Sequence, residues 1–264
     1  MANGSSRGMA IETVFGLAIL SGKGGVGKSV ISLNLALALG HLGIKTLLFD
    51  AAAGDLANLA NVGQITINKA QPDVIQITDN VKLYTSAVTN SCTTFDEEGV
   101  EAFLAELIRV TPGYNCAVFD CPTGVGPISC ILGGLSEKII VVSTPDPTSI
   151  AGAYLLIKRL YHDGLSERCG LLFNCVKSAD EAASLKTRFD IMTRRFLSKQ
   201  FEQIGYIRDD SMLSESVLEQ QPLLLEKHQS DSSLDFISLA ESLRHLKGFH
   251  FETGVLKTNS NNGA

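Results

Sequence analysis

The stretch from Ser21 to Ala36, Ser-Gly-Lys-Gly-Gly-Val-Gly-Lys-Ser-Val-Ile-Ser-Leu-Asn-Leu-Ala, decides how this chain is read. It follows an apolar run, Phe-Gly-Leu-Ala-Ile-Leu (15–20), and opens a helical pattern. From Gly22 to Ser29 it matches G-x-x-x-x-G-K-[ST] in the strand–loop–helix setting that this motif needs. Glycines let the backbone turn tightly and point successive N–H groups at phosphate oxygens. The helix that follows adds its positive end. Lys28 is placed to bridge terminal phosphates and the Ser29 hydroxyl to ligate Mg²⁺. A single lysine would satisfy this motif, yet the loop carries a second, Lys23, five positions earlier.

Outward from the loop, apolar runs of strand length alternate with longer helical patterns. Strands are predicted near Thr13–Leu20, Thr46–Phe49, Val81–Ala87, Cys116–Phe119, Lys138–Ser143, Gly170–Phe173 and Gln203–Ile207. Helices are predicted near Gly27–Leu42, Glu98–Val110, Thr148–His162, Ala179–Lys199 and Ser232–Leu246. Continuous runs such as Lys-Ile-Ile-Val-Val-Ser (138–143) mark strands covered on both faces, as in a parallel sheet between helix layers. The expected fold is therefore α/β, a doubly wound, mostly parallel sheet with helices on both faces. Residues Asn58–Asn90 show weak periodicity and receive no firm assignment beyond the strand at Val81.

A chain of 264 residues fits one large α/β domain. Its net charge of −6 argues against a dedicated nucleic-acid binder. Cys92, Cys116, Cys121, Cys130, Cys169 and Cys175 contain no C-x-x-C pair and read as small core residues in a reducing cytosol. No apolar run approaches the roughly 20 residues that span a bilayer.

With its second lysine, Lys-Gly-Gly-Val-Gly-Lys-Ser (23–29) resembles the deviant Walker A loop of the MinD/ParA superfamily of ATP-dependent dimers. That resemblance implies ATP and Mg²⁺ as ligands and a trans role for Lys23 on the partner's phosphates, much as an arginine finger acts. Three further segments are similar to the family. Thr46–Leu59 resembles its second acidic motif. Tyr114–Gly126 resembles Walker B with switch II, in which Asp120 holds Mg²⁺ through water and the Gly124 N–H senses the γ-phosphate. Ser143–Lys158 resembles the branch of FlhG/FleN (YlxH) regulators of flagellar number and placement. The resemblance also puts Asn174 on adenine, and Ile207, Arg208 and Asp209 in the loop closing over the base, although the family often has proline where Arg208 stands. Candidate nucleotide-binding residues are thus Gly22, Lys23, Gly24, Gly25, Val26, Gly27, Lys28, Ser29, Val30, Gly124, Asn174, Ile207, Arg208 and Asp209. Candidate metal-binding residues are Ser29, Asp50 and Asp120. The expected organisation is a flexible start or cloning remnant (1–12), a P-loop ATPase domain (13–250) and a disordered tail (251–264).

One position breaks the pattern. The family's acidic motif runs Asp-x-Asp, and here Asp50 fills the first place while Ala52 fills the second. A methyl group neither accepts a proton nor orients water, and losing such a group costs about 10²–10⁴ in rate. The candidate catalytic set is therefore Lys23, Lys28, Asp50 and the altered position Ala52. Strong ATP binding with slow hydrolysis follows, either as a natural slow variant or as an aspartate replaced to trap the ATP state; the second is the favoured reading. Asp55 is an alternative carboxylate through a shifted register.

The family resemblance also implies a regulatory protein partner, a cytoplasmic location and peripheral contact at the inner face of the membrane through the C-terminal region. Apolar Leu234, Ile237, Leu239, Leu243 and Leu246, with Phe249 and Phe251 beyond, fit a closing core helix better than a cationic surface helix. Lys186, Arg188, Arg194, Arg195 and Lys199 read as a solvated helix face, with ParA-like DNA or cargo positioning as the alternative. An iron–sulfur carrier using Cys92 and Cys130 is a more distant one.

Overall fold

The computed structural model describes residues 14–52, 56–61, 74–86, 97–226 and 229–246. Eight strands form one sheet in the order β3-β4-β2-β5-β1-β6-β7-β8. They are β1 Phe15–Ser21, β2 Thr46–Asp50, β3 Val74–Gln76, β4 Val81–Thr85, β5 Cys116–Asp120, β6 Lys138–Ser143, β7 Cys169–Val176 and β8 Glu202–Arg208. Every pairing is parallel except that of the short edge strand β3 with β4. The described helices are α1 Lys28–His41, α2 Leu56–Leu59, α3 Glu97–Val110, α4 Pro127–Leu135, α5 Pro147–His162, α6 Ala179–Leu197, α7 Ser211–Leu218, α8 Leu223–Glu226 and α9 Asp231–Arg244.

The continuous apolar runs become fully buried strands, since β1, β2, β5 and β6 expose no residue. Period-two alternation then divides the core between the two faces. Leu17 and Ile19 of β1 point to the side of α1 and α9, where Leu35, Phe236 and Leu239 pack. Ala18 and Leu20 point to the other side, against Phe103 and Leu107 of α3, Ile157 of α5 and Phe189 of α6. α1 is buried around nearly its whole circumference, because the sheet covers one side and α9 another. A helix so placed has no polar face to display, which explains why residues 31–39 are apolar except for Ser32 and Asn34, whose side chains can donate to carbonyls four residues earlier.

The C-terminal helix is a core element over its described length. Phe236, Leu239, Ala240 and Leu243 are buried, and Leu234 stays exposed; Phe249 and Phe251 lie outside the described residues. No helix among the described residues is long and apolar enough to cross a membrane. The basic residues of α6 are partly compensated: Lys186 pairs with Asp190 at 2.5 Å, and Lys199, just past the helix end, pairs with Glu167.

The sequence reading missed β3 and the helices α2, α4, α7 and α8. α4 carries two glycines and only nine residues, so its 3.6-residue period is weak; Gly126 and Pro127 start it. β7 runs past the predicted Phe173 to Val176, and Asn174 consequently lies within it, beside a bulge where Cys175 has φ of 56°. Cys116, Cys121 and Cys169 are buried free thiols, as anticipated for core residues, but Cys130 is only half-buried and Cys175 is exposed. Cys92 and Asp55 lie outside the described residues.

Candidate nucleotide-binding site

The glycine-rich loop leaves the C-terminal end of β1, a central strand with β5 on one side and β6 on the other. From β1 the chain crosses to β2 on one side, and from the neighbouring β5 it crosses to β6 on the other; ligands of open α/β sheets bind at such a switch point. Two glycines are sterically required. Gly27 caps α1 at φ 84°, in the left-handed region, and a Cβ there would sit 2.5 Å from Asn174 Nδ2. A Cβ on Gly22 would lie 2.0 Å from the Gly152 carbonyl oxygen of α5. The loop is therefore wedged between β7 and α5.

Beside the loop lies a cavity of about 540 Å³ lined by Gly25, Gly27, Lys28, Ser29 and Val30, and closed opposite by Ala52, Pro122 and Thr123. Its size is that of an ordinary small-molecule site. At its base, Asp120 collects three donors. Lys28 Nζ is 2.7 Å from Oδ1, the Ser29 hydroxyl donates to Oδ2 at 2.6 Å, and the Ser32 hydroxyl lies 3.0 Å from Oδ1. Asp120 is 1% exposed and Lys28 7% exposed, so this ion pair is shielded from solvent. Asp50 is the register partner of Asp120 on the adjacent strand, and its Oδ1 accepts the Ala52 N–H at 3.1 Å. Ser29 and Asp120 together present hard oxygens of the kind Mg²⁺ takes. Among the described residues no group of three or more His, Cys, Asp or Glu side chains is placed to hold a metal. The oxygen set thus fits an ion that draws its remaining ligands from phosphates and water.

The other candidate residues fall into three groups. Gly124, at φ 89°, donates its N–H to the Ser21 carbonyl at 2.8 Å, so the switch II amide is held by the end of β1. Asn174 is 4% exposed and donates to the Val26 carbonyl at 2.8 Å, while its Oδ1 has no hydrogen-bond partner among the described residues. Ile207 and Arg208 are the last residues of β8 rather than part of a loop over the base, and only Asp209 lies beyond the strand. The Ile207 side chain is fully buried in the core, and the Asp209 N–H donates to the Val176 carbonyl at 2.8 Å. Arg208 grips α9, with Nε and Nη2 each 2.9 Å from the Asp235 carboxylate and Nη1 2.8 Å from Asp231. Aspartates on α9 take up the guanidinium donors that a base contact would need.

Lys23 is separated from Lys28. It points away to Asp146, the N-cap of α5, in an ion pair in which both side chains are substantially exposed. The sequence reading missed Ser32, Asp146 and the cavity-lining Asn58, Val217 and Gln220. Ser32 was findable as the i+4 neighbour of Lys28 on α1, and Asp146 as a helix cap followed by proline. Nothing local marks the other three.

Fold and site together define a P-loop nucleotide-binding protein of the doubly wound class. The chain belongs to the CobQ/CobB/MinD/ParA nucleotide binding domain family, whose model matches residues 17–223. It is 29% identical over 239 residues to the antiactivator FleN of Pseudomonas aeruginosa, covering 86% of this chain and 85% of that protein. It is also 29% identical to the flagellum site-determining protein YlxH of Helicobacter pylori, covering 78% and 74% respectively. The septum site-determining protein MinD of Pyrococcus horikoshii, solved with Mg-ADP, superposes with a TM-score of 0.67 at 24% identity, covering 88% of this chain and 97% of that one.

Proposed function

We propose that this chain binds Mg²⁺ and ATP in the cavity beside the glycine-rich loop, dimerises around the bound nucleotides, and acts as a spatial or numerical regulator of the FleN/YlxH kind. On nucleotide binding, Lys28 transfers from Asp120 to the phosphates, and the Gly124 N–H leaves the Ser21 carbonyl for the γ-phosphate. When bound, Mg²⁺ would supply charge neutralisation on the phosphate oxygens, and Ser29 and Asp120 would hold it. Asn174, with its spare Oδ1, offers an acceptor to the adenine amine. A protein partner recognises the ATP-bound dimer, and any membrane contact belongs to the C-terminal region.

The observation that carries this reading is the Lys28–Ser29–Asp120 cluster at the base of the cavity; the Ala52 methyl lines the wall where the related acidic motif has a carboxylate. The phosphate-loop residues Lys28 and Ser29 are in place while Ala52 supplies no water-activating carboxylate, so ATP is expected to bind more readily than it is hydrolysed. The same alanine favours a second reading, a nucleotide-gated scaffold with no meaningful turnover. Light scattering with ATP, with ADP and without nucleotide tests the first: a dimer is expected with ATP alone, and one mass under all three conditions overturns it. Steady-state ATPase of this chain beside Ala52→Asp separates slow enzyme from scaffold.

A further inference from the structure

The two loop lysines have separate carboxylate partners. Lys28 is buried on Asp120 at 2.7 Å, whereas Lys23 lies at the surface on Asp146. Asp146 is itself fixed before Lys23 reaches it. As the N-cap of α5, it accepts the Thr148 N–H on Oδ1 at 3.1 Å and the Thr148 hydroxyl on Oδ2 at 2.8 Å. Its carboxyl, drawn down to about 2 by Lys23 and then by Thr148, stays ionised throughout the physiological range. The loop is tied to the same helix a second time, where Gly22 rests on the Gly152 backbone too closely for any Cβ. The backbone just before Lys23 and the carboxylate that receives its side chain are therefore both anchored to α5, and the direction of the lysine is set. Among the described residues lining the nucleotide cavity are Gly25, Gly27 and Lys28, but not Lys23.

A lysine on a phosphate-binding loop has an obvious competing partner, the nucleotide bound by its own chain. A polyphosphate carries more charge than a single carboxylate, and Lys23 reaches it without any second molecule. We propose that Asp146 is a positioning residue that holds Lys23 out of its own chain's phosphate site, so that Lys28 alone meets the bound nucleotide and Lys23 remains available to a second copy. The purpose of this device rests on the dimerisation reading above; its measurement does not.

Asparagine keeps the acceptor that caps α5 and removes only the charge, so Asp146→Asn is the informative change. ADP affinity of the monomer, read by titration of a fluorescent ADP analogue, is compared for the wild type, Asp146→Asn, Lys23→Ala and the double variant. Release of Lys23 onto the chain's own nucleotide should tighten ADP binding about two- to fivefold in Asp146→Asn, the range expected for an exposed ion pair. The gain should vanish in the Lys23→Ala background, shrink as salt is raised, and be absent in Asp146→Glu. Equal tightening with and without Lys23 overturns the proposal, because Asp146 then acts only by repelling the nucleotide; so does no tightening at all. In parallel, light scattering against ATP concentration should show Asp146→Asn needing more ATP to dimerise. A wild type that stays monomeric with ATP sinks the dimerisation reading while the ADP cycle still decides the role of Asp146.

Discussion

Lys28 and Asp120 face each other at 2.7 Å beneath the glycine-rich loop, and both are almost wholly buried. They stand 92 residues apart in the chain, and they meet because β1 and β5 are neighbours in the sheet. The cation proposed for the nucleotide is thus paired with the carboxylate proposed for the metal, and neither is left uncompensated in solvent-poor surroundings.

The two lysines should separate cleanly on mutation. Lys28→Ala removes the phosphate cation and leaves Asp120 buried with hydroxyl donors alone. Binding of a fluorescent ATP analogue should be abolished and stability should fall by about 3 kcal/mol. Lys23→Ala removes an exposed pair and should act mainly on the ATP-driven dimer. Equal loss of analogue binding in both variants would contradict the trans role of Lys23.

Replacing Ala52 with Asp should raise ATP turnover at least about tenfold, with roughly 10²–10⁴ available from a restored proton acceptor. Affinity measured with a non-hydrolysable analogue should barely change, because the Ala52 side chain is assigned no ground-state phosphate contact. The rival account gives the role to Asp55: Ala52→Asp would then do little, while Asp55→Ala would abolish turnover.

Ser32 is the one donor at Asp120 with no duty toward the nucleotide. Its hydroxyl is fully buried, 3.0 Å from both the Lys28 carbonyl and Asp120 Oδ1, and its single proton serves one acceptor at a time. In the proposed nucleotide complex, where Lys28 and Ser29 turn to phosphate and metal, Ser32 would remain to orient the carboxylate. Ser32→Ala should weaken Mg²⁺-dependent nucleotide binding about fivefold, the worth of one hydrogen bond, and Ser32→Thr should restore it. An equal loss with and without Mg²⁺ would reduce Ser32 to a packing residue.

Arg208 gives a test of the base loop. Asp235→Ala strips the guanidinium of its bidentate partner and should cost about 2 kcal/mol in denaturant unfolding, through the loss of charged hydrogen bonds. ATP affinity should follow only as far as stability does. A large loss of affinity at unchanged stability would instead give Arg208 a direct part in holding the base.

Much of the architecture could be read along the chain. Fully apolar runs predicted buried parallel strands, and the Gly22–Ser29 spacing predicted a phosphate loop between β1 and α1; both are local patterns whose cause is local, backbone conformation and the alternation of faces. The helix at Pro127–Leu135 and the edge strand at Val74 escaped notice because they are short and owe their form to what they pack against. In the site, the loop motif marked Lys28 and Ser29, and the family resemblance marked Asp120 and the anomaly at Ala52. Both were silent on their assembly. Whether the second lysine would lie in the cavity or outside it depends on Asp146, 123 residues away, and on the Gly22–Gly152 approach that brings α5 against the loop. The Arg208 contact with α9 is likewise a product of strand order. Such pairings cost chain entropy to form and exist only because the sheet, stabilised by its own buried faces, brings distant segments together. The sequence therefore determined which chemical groups are available and on which elements they sit. The tertiary structure decided which carboxylate each lysine meets, because only the packed sheet sets those distances.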